Sequence, residues 1–375
     1  MDRRKFVKST GMAAGLAAGV VGTAGVLTAC GQSGSSTGAA SADSSYEQNF
    51  KWKMVTTWPR DFPGLGTGAA RLAKMIGEMS NGRLTIKVYG GGELVPPLEV
   101  FSAVQQGTAE MGHGAAYYWR GHIKSSLIFT GVPFGMIPQE LNGWFYYGGG
   151  VELYRRAYEA HGLVPFVAGN SGTQMGGWFN KEIKSVADLK GLKMRIPGIG
   201  GEALERAGGT PINIPGSEVF TALQSGVVDA AEWVGPWNDQ AMGLFQAAKY
   251  YYYPGWQEPG SALEALVNAK AWEQLPADLQ SIVHYACMAV TTDMQSEFEA
   301  NNGAKLQSLV KEHGVQLRAF PDDVLAELKR HTFAILDELA KEDEPARETW
   351  HSFRNYMEQV RQATDTGTRY FLNHR

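Results

Sequence analysis

Residues 188–239 read DLKGLKMRIPGIGGEALERAGGTPINIPGSEVFTALQSGVVDAAEWVGPWND. Leu192-Lys193-Met194-Arg195-Ile196 alternates apolar and basic side chains, the period of a strand, and Pro197-Gly198 ends it. Arg195 therefore stands near a strand end beside a turn, a place where side chains face clefts. Its planar fork grips a carboxylate through two parallel hydrogen bonds. A helix-like run and a second short strand then lead to Glu232-Trp233. Arg195 and Glu232 are expected to hold opposite ends of one small ligand.

Working outward, this stretch has an internal echo. Glu99-Val100-Phe101-Ser102-Ala103-Val104-Gln105-Gln106-Gly107 matches Glu218-Val219-Phe220-Thr221-Ala222-Leu223-Gln224-Ser225-Gly226. Both runs are helical and end in a glycine suited to a left-handed cap. Both lead into a short strand, at 109–114 and 228–233. A strand and a Gly-rich turn precede each, at 87–92 and 193–201. Upstream, a strand at 51–58, a helix at 68–80 and a strand at 84–89 form a β-α-β unit. Two similar α/β units in tandem predict an α/β fold of two lobes. Ligands of open α/β sheets bind beyond the carboxyl ends of the strands, so the cleft between the lobes is the expected site. Lobe 1 is placed at 51–166, with contributions from later segments, and lobe 2 at 167–267. Within these, 144–158 reads as an aromatic-rich helix, Val164–Gly169 as a crossing strand and Val267-Asn268 as its return. Helices fill 268–375, including runs at 277–314 and 344–364. Trp350, Phe353, Met357 and Val360 form one apolar stripe on the last of these, able to seal a core or a partner subunit.

The first thirty residues read as a label. Asp2-Arg3-Arg4-Lys5-Phe6-Val7-Lys8 is a twin-arginine export pattern. The apolar run from Gly11 to Leu27 is only weakly hydrophobic and has a cleavage-like end, which argues for a signal over a transmembrane helix. That end, Leu27-Thr28-Ala29-Cys30, has the form of a bacterial lipobox, so Cys30 is expected to carry lipid and become the first mature residue. Ordinary cleavage near the alanines is the alternative. Residues 31–50, Gly/Ser/Ala-rich as far as Ser45, read as a flexible tether. Of two cysteines in the chain, only Cys287 then remains, which excludes an intramolecular disulfide and a Cys-based metal site. Cys287 reads as core. A net charge of -4 over 375 residues, without a basic stripe, argues against nucleic acid as a partner.

With Arg195, Gln224 and Glu232 in place, the chain resembles the periplasmic substrate-binding subunit of tripartite ATP-independent periplasmic (TRAP) transporters. The resemblance rests on DLKGLKMRIPG, then GGTPINIPGSEVFTALQSGVVDAAEW, then NAKAWEQLPADLQ, and spans nearly everything from Trp52 to the C-terminal helices. It implies a two-lobed periplasmic binding protein-like fold, with a hinge of crossing strands and long bracing helices, closing on an organic acid. It also implies membrane permease subunits as partners and a periplasmic location. Dicarboxylate-binding members usually carry an asparagine where this chain has Trp233. Glu232-Trp233-Val234-Gly235-Pro236-Trp237-Asn238-Asp239, Tyr117-Tyr118-Trp119 and Gly172-Thr173-Gln174-Met175-Gly176-Gly177-Trp178 are similar to the branch that binds 2-oxo acids or lactate with a cation. In that branch Arg195 would pair with the ligand carboxylate, and Gln174 would touch ligand and ion. Glu232 and the Trp233 carbonyl would hold the ion, with Trp233 and Tyr118 beside the ligand. Either Gln257 or Glu258 would reach the site, Gln257 toward substrate or Glu258 toward the ion. The branch also suggests a homodimer through the C-terminal helix.

The chemistry agrees. A 2-oxo acid carries carboxylate and keto oxygens on adjacent carbons and chelates a hard ion. Carboxylate, amide and carbonyl oxygens suit Ca2+, and Na+ takes similar ligands, so the choice stays open. Each residue also has an ordinary reading: Arg195 in a surface ion pair, Glu232 at a solvated strand end, Gln174 capping a turn. Trp178, Trp237 and Trp256 read as packing, His113 as a satisfied core histidine, and Gly90-Gly91-Gly92 as a turn. Two further function classes compete with a binding protein such as a pyruvate receptor. One is an exported metal-assisted enzyme with Glu232 as base, which would call for a nucleophile-base pair or clustered histidines. None of the eight histidines shows metal-ligand spacing such as HExxH. The other is a sensor's ligand-presenting partner.

Overall fold

The path of β1 (Phe50–Thr56) decides the first lobe: it is parallel both to β2 (Leu84–Tyr89) and to β3 (Met111–Gly114). The structure, a computed structural model, describes residues 48–375, so the leader and most of the tether lie outside it. β4 (Leu163–Asn170) and β10 (Ala262–Asn268) complete a five-stranded sheet in the order β2-β1-β3-β10-β4, with β10 antiparallel to both neighbours. The second sheet contains β5 (Gly177–Phe179), β6 (Lys193–Arg195), β7 (Thr210–Ile212), β8 (Ala230–Ala231), β9 (Tyr250–Tyr253) and β11 (Gln316–Ala319). Its order is β11-β9-β5-β8-β6-β7. β4 leads into this sheet and β10 returns from it, so the expected crossing strands are present and longer than the sequence indicated.

The echo is real but its frame moves. β7-β6-β8 repeats β2-β1-β3, with both outer strands parallel to the middle one. Lys193–Arg195 is thus the counterpart of β1, not of the strand at 87–92. The true partner of that edge strand is β7, three residues long and interrupted by Pro211. The 144–158 run is two helices, Pro138–Tyr147 and Gly150–Glu159. Between them Gly149 sits at φ 87, a left-handed conformation that suits glycine.

One element spans both cores. The Ala277–Lys311 helix has 35 residues, so it is about 50 Å long. Its first half packs Val283, Cys287 and Val290 against Trp52, Met54, Leu72 and Ile76 in lobe 1. Its second half packs Met294, Phe298 and Leu309 with Trp178, Val219 and Leu223 in lobe 2. The Glu344–Thr364 helix turns Trp350, Phe353 and Met357 into the chain's own core, with Trp144 edge-on to Phe353. The apolar stripe therefore seals this core and is not free for a second subunit. Tyr370, Phe371 and Leu372, farther along, are exposed.

Buried carboxylates on the two lobes take their hydrogen bonds from aromatic residues. In β10, Glu264 is 1% exposed and accepts from Trp119 Nε1, from Tyr154 Oη and, at 3.1 Å, from Tyr158 Oη. Burial pushes its carboxyl up to about 7, against the pull of the Tyr154, Trp119 and Tyr158 donors. The folded chain then holds this proton more tightly than the unfolded chain. That contribution to stability is complete below the ordinary value of 4.5 and is lost as pH rises through about 7. Its full size is on the order of 3 kcal/mol. Thermal melts from pH 5 to pH 8 should show wild-type stability declining more steeply than that of Glu264→Gln; equal slopes would contradict the assignment.

Candidate functional site

Register brings the two predicted anchors together. β6 and β8 are parallel neighbours with Arg195 opposite Ala231, so Glu232 is the first residue past the pair. The Glu232 amide donates to the Arg195 carbonyl at 3.1 Å. Both side chains leave the carboxyl ends of adjacent strands and meet. Arg195 Nη1 donates to the Glu232 carbonyl at 2.9 Å and to its Oε1. Arg195 is 1% exposed and Glu232 0%. The two residues expected from the sequence to hold one ligand between them are here a buried ion pair.

The guanidinium is only partly used by this pair. Its carbon lies 5.1 Å from the centroid of the Trp233 ring, and Nη2 is 3.5 Å from Tyr118 Oη. Nε has no partner. The Nε/Nη2 edge is one of the two faces an arginine offers a carboxylate. Arg195 lines a small hollow together with Trp58, Leu65, Tyr117, Tyr118, Ser171, Gln174, Trp233, Val234, Glu258 and Leu263. Trp58 and the tyrosines come from lobe 1, the last four polar or aromatic residues from lobe 2. The lobes close tightly here: a Cβ at Gly198 would stand 3.3 Å from the Tyr117 ring. Arg120–Glu202 at 2.7 Å and Asn238 Nδ2 donating to the Pro63 carbonyl at 2.9 Å join the lobes to either side. A wider groove runs beside Trp256 and Leu372, but none of the charged residues lining it is buried.

Gln174 is oriented by its neighbours. Its Nε2 donates to Glu258 Oε2 at 2.7 Å and to the Ser171 and Ser261 hydroxyls, each at 3.1 Å. Its Oε1 is buried without a partner, as are Glu232 Oε2 and Gln257 Oε1. Among the described residues, no three His, Cys, Asp or Glu side chains converge to hold a metal. An ion here would draw on amide and main-chain oxygens beside the Glu232 carboxylate, and the orphaned oxygens fit that donor set. Gln257, like Glu232, is not among the residues lining the hollow; its Nε2 donates to the Met175 carbonyl at 2.8 Å and so braces the Gln174 segment. Glu258 does line the hollow, with its carboxylate taken up by Gln174 and Ser261.

Burial pushes the Glu232 carboxyl up, and Arg195 opposes it. Burial also raises Glu258, against donation from Ser261. Tyr117 and Tyr118 are raised by burial as well, and so stay neutral donors. His113 is a core residue: it accepts from Trp58 Nε1 at 2.8 Å and faces the Ala168 carbonyl at 2.9 Å, and burial pulls it down to about 4. Sequence reasoning missed Trp58, Ser171 and Leu263 as lining, and Asp239 as support. Trp58 follows the carboxyl end of β1, which was a usable signal. Asp239 accepts from the Val234 and Gly235 amides at 3.1 Å, Trp178 Nε1 at 2.9 Å and Tyr251 Oη at 2.7 Å, which fixes the turn bearing Trp233.

Residues 54–343 match the DctP family model, bacterial extracellular solute-binding protein, family 7. The chain belongs to this family. Its similarity to a monocarboxylate 2-oxoacid-binding periplasmic protein of Nostoc sp. is 42% identity over 312 residues, 83% of this chain and 85% of that one. Among solved structures, a TRAP periplasmic solute-binding protein from Colwellia psychrerythraea with bound calcium and pyruvate superposes with a TM-score of 0.85 at 45% identity, covering 88% of this chain and 100% of that one. A second, from Pseudoalteromonas atlantica with bound sodium and pyruvate, has a TM-score of 0.85 at 43% identity, covering 87% and 99%. The two-lobed fold and the resemblance to TRAP solute-binding subunits are borne out.

For this family 7 protein, removing Arg195 strands a buried acid. Arg195→Met should lower stability by about 3 kcal/mol or more at pH 8, where Glu232 must either stay buried as an unpaired anion or take up a proton that the unfolded chain does not hold. The loss should shrink at pH 5, because the isolated Glu232 takes up a proton, so the deficit grows as pH rises. Chemical denaturation at the two pH values checks this; a pH-independent loss would contradict it.

Proposed function

We propose that this chain is the extracytoplasmic receptor of a TRAP transporter, binding a small 2-oxo monocarboxylate such as pyruvate together with one hard cation. The observation that carries this reading is the partnerless Nε of Arg195, with Nη2 held only by Tyr118 at 3.5 Å, on a hollow that Gln174 also lines, together with the orphaned oxygens of Gln174 and Glu232. Arg195 takes the ligand carboxylate. Tyr118 and the Trp233 ring flank it. Gln174 Oε1, Glu232 Oε2 and the Trp233 main-chain carbonyl hold the ion, which supplies positive charge where the ligand's oxygens converge. Glu258 stays behind Gln174. An anion entering beside two carboxylates meets repulsion of about 4 kcal/mol per charge pair at 4 Å and an effective dielectric of 20. Arg195 and the cation together offset it. The names of the similar proteins, a 2-oxoacid-binding protein and two pyruvate complexes with calcium or sodium, support the same ligand class. Binding and release then require only lobe motion and no chemical step.

Pyruvate should raise the melting temperature in buffer containing Ca2+ or Na+, and the rise should fall when a chelator is added in Na+-free buffer. Arg195→Met should abolish it. An undiminished rise in that variant would remove Arg195 as the anchor. Lactate in the same titration tests whether a 2-hydroxy acid is the better ligand.

The location follows from the leader, which lies outside the described residues. We infer export by the twin-arginine route to the periplasm, a lipid anchor at Cys30 and hand-over to membrane permease subunits. No helix among the described residues is long and apolar enough to cross a membrane. Cell fractionation should place the wild-type protein with membranes and Cys30→Ala in the soluble periplasmic fraction; equal partition would argue for ordinary cleavage. For a homodimer through the C-terminal helix, the exposed apolar residues at the chain end are Tyr370, Phe371 and Leu372, since Trp350, Phe353 and Met357 are already buried.

A further inference from the structure

On the lobe-1 side, the hollow is walled by Trp58, Leu65 and one short turn, Ala116–Trp119. Tyr117 and Tyr118 line the hollow. Trp119 is 1% exposed and packs into the core against Phe101, whose ring centroid is 5.9 Å away. Its indole N–H donates to Glu264 Oε1. The other oxygen of Glu264 accepts from Tyr154 and Tyr158, both on the Gly150–Glu159 helix. The carboxylate thus ties three things together: the tyrosine turn, a lobe-1 helix and the returning hinge strand β10.

Successive residues of a strand point to opposite faces of the sheet. The irregularity at this point lies on β4, where Ala168 is the extra residue, since Leu263 pairs with Gly169 and Glu264 with Val167. Leu263 lines the hollow while its neighbour Glu264 joins Trp119, Tyr154 and Tyr158. Among the described residues Glu264 has no Lys, Arg or His partner; its neighbours are the two tyrosines and the tryptophan. An ionised acid without a counter-charge is a costly way to fill a core, and a neutral side chain of similar volume would pack with less penalty. What the acid adds is strong, directed acceptance of three fixed donors.

We propose that Glu264 is a positioning residue for ligand binding: through Trp119 it holds Tyr117 and Tyr118 toward the hollow, and it links that turn to the hinge strand. The inference rests on the 2-oxo acid reading for its ligand. Calorimetric titration of the mature chain with pyruvate in Ca2+ buffer tests it, using wild type, Glu264→Gln, Tyr118→Phe and the double variant. Glu264→Gln should bind roughly tenfold more weakly, the scale of one charge-assisted hydrogen bond. Its melting temperature at pH 8 should not fall below that of wild type, which separates positioning from a merely structural role. If Glu264 acts through the tyrosine turn, the fold-loss of the double variant should be smaller than the product of the two single fold-losses. Trp119→Phe, which keeps the acid but removes the indole donor along with part of the buried ring, should weaken binding in the same direction. Wild-type affinity in Glu264→Gln or in Trp119→Phe, or strict additivity in the cycle, overturns the inference alone. A wild-type protein that binds no pyruvate overturns the ligand reading and this inference together.

Discussion

The rest of the site depends on the meeting of Arg195 and Glu232 at the carboxyl ends of β6 and β8. Burying two such charges carries an effective penalty of several kcal/mol per ion, and their attraction offsets it only when the geometry is good and further hydrogen bonds are made. Here the main chain supplies part of that geometry, because the Glu232 amide and carbonyl both bond to Arg195. What the pair leaves over is the functional part. Arg195 keeps one edge of its fork and Glu232 keeps one oxygen. A carboxylate ligand and a cation would divide these remainders between them. Neither could be accommodated alone without leaving like charges close together in a poorly screened hollow.

Around that pair the walls are held by aromatic residues whose polar tips are tied down in the core. Trp58 is anchored on His113, Trp119 on Glu264 and Trp178 on Asp239. The first lines the hollow, the second ends the tyrosine turn, and the third shares its acid with the turn that bears Trp233. Polar tips that are satisfied in this way fix ring orientation, which a purely apolar packing would leave to shape alone. The long Ala277–Lys311 helix then sets the two lobes on one rod, with Leu279, Val283, Ala286, Cys287 and Val290 in one core and Met294, Phe298 and Leu309 in the other. The Arg120–Glu202 pair and the Asn238–Pro63 hydrogen bond also join the two lobes.

Much of this was legible in the sequence where the signal was local. The strand ending at Arg195, the repeated helix-glycine-strand run and the Glu-Trp pair each follow from residue type and spacing. What was missed depended on register or on very short elements. That Arg195 and Glu232 touch requires knowing that β6 and β8 are adjacent and in which alignment, and no spacing shows that. The frame of the echo slipped because β7 is three residues long and contains Pro211, so it gave no alternation to count. β9 and β11 are four residues each, and β11 lies at a sheet edge with its end residues exposed, so neither carries a clear period. Gln257 and Glu258 are adjacent in the chain, yet one braces the Met175 segment and the other lines the hollow. Strand alternation would have separated them, but they lie in a loop.

A crystal structure of the protein with pyruvate and Ca2+ tests the account most directly. It should show the ligand carboxylate on the Nε/Nη2 edge of Arg195, and an ion about 2.3–2.6 Å from Gln174 Oε1 and Glu232 Oε2. A ligand bound outside this hollow, or an ion held without either of those oxygens, would contradict it.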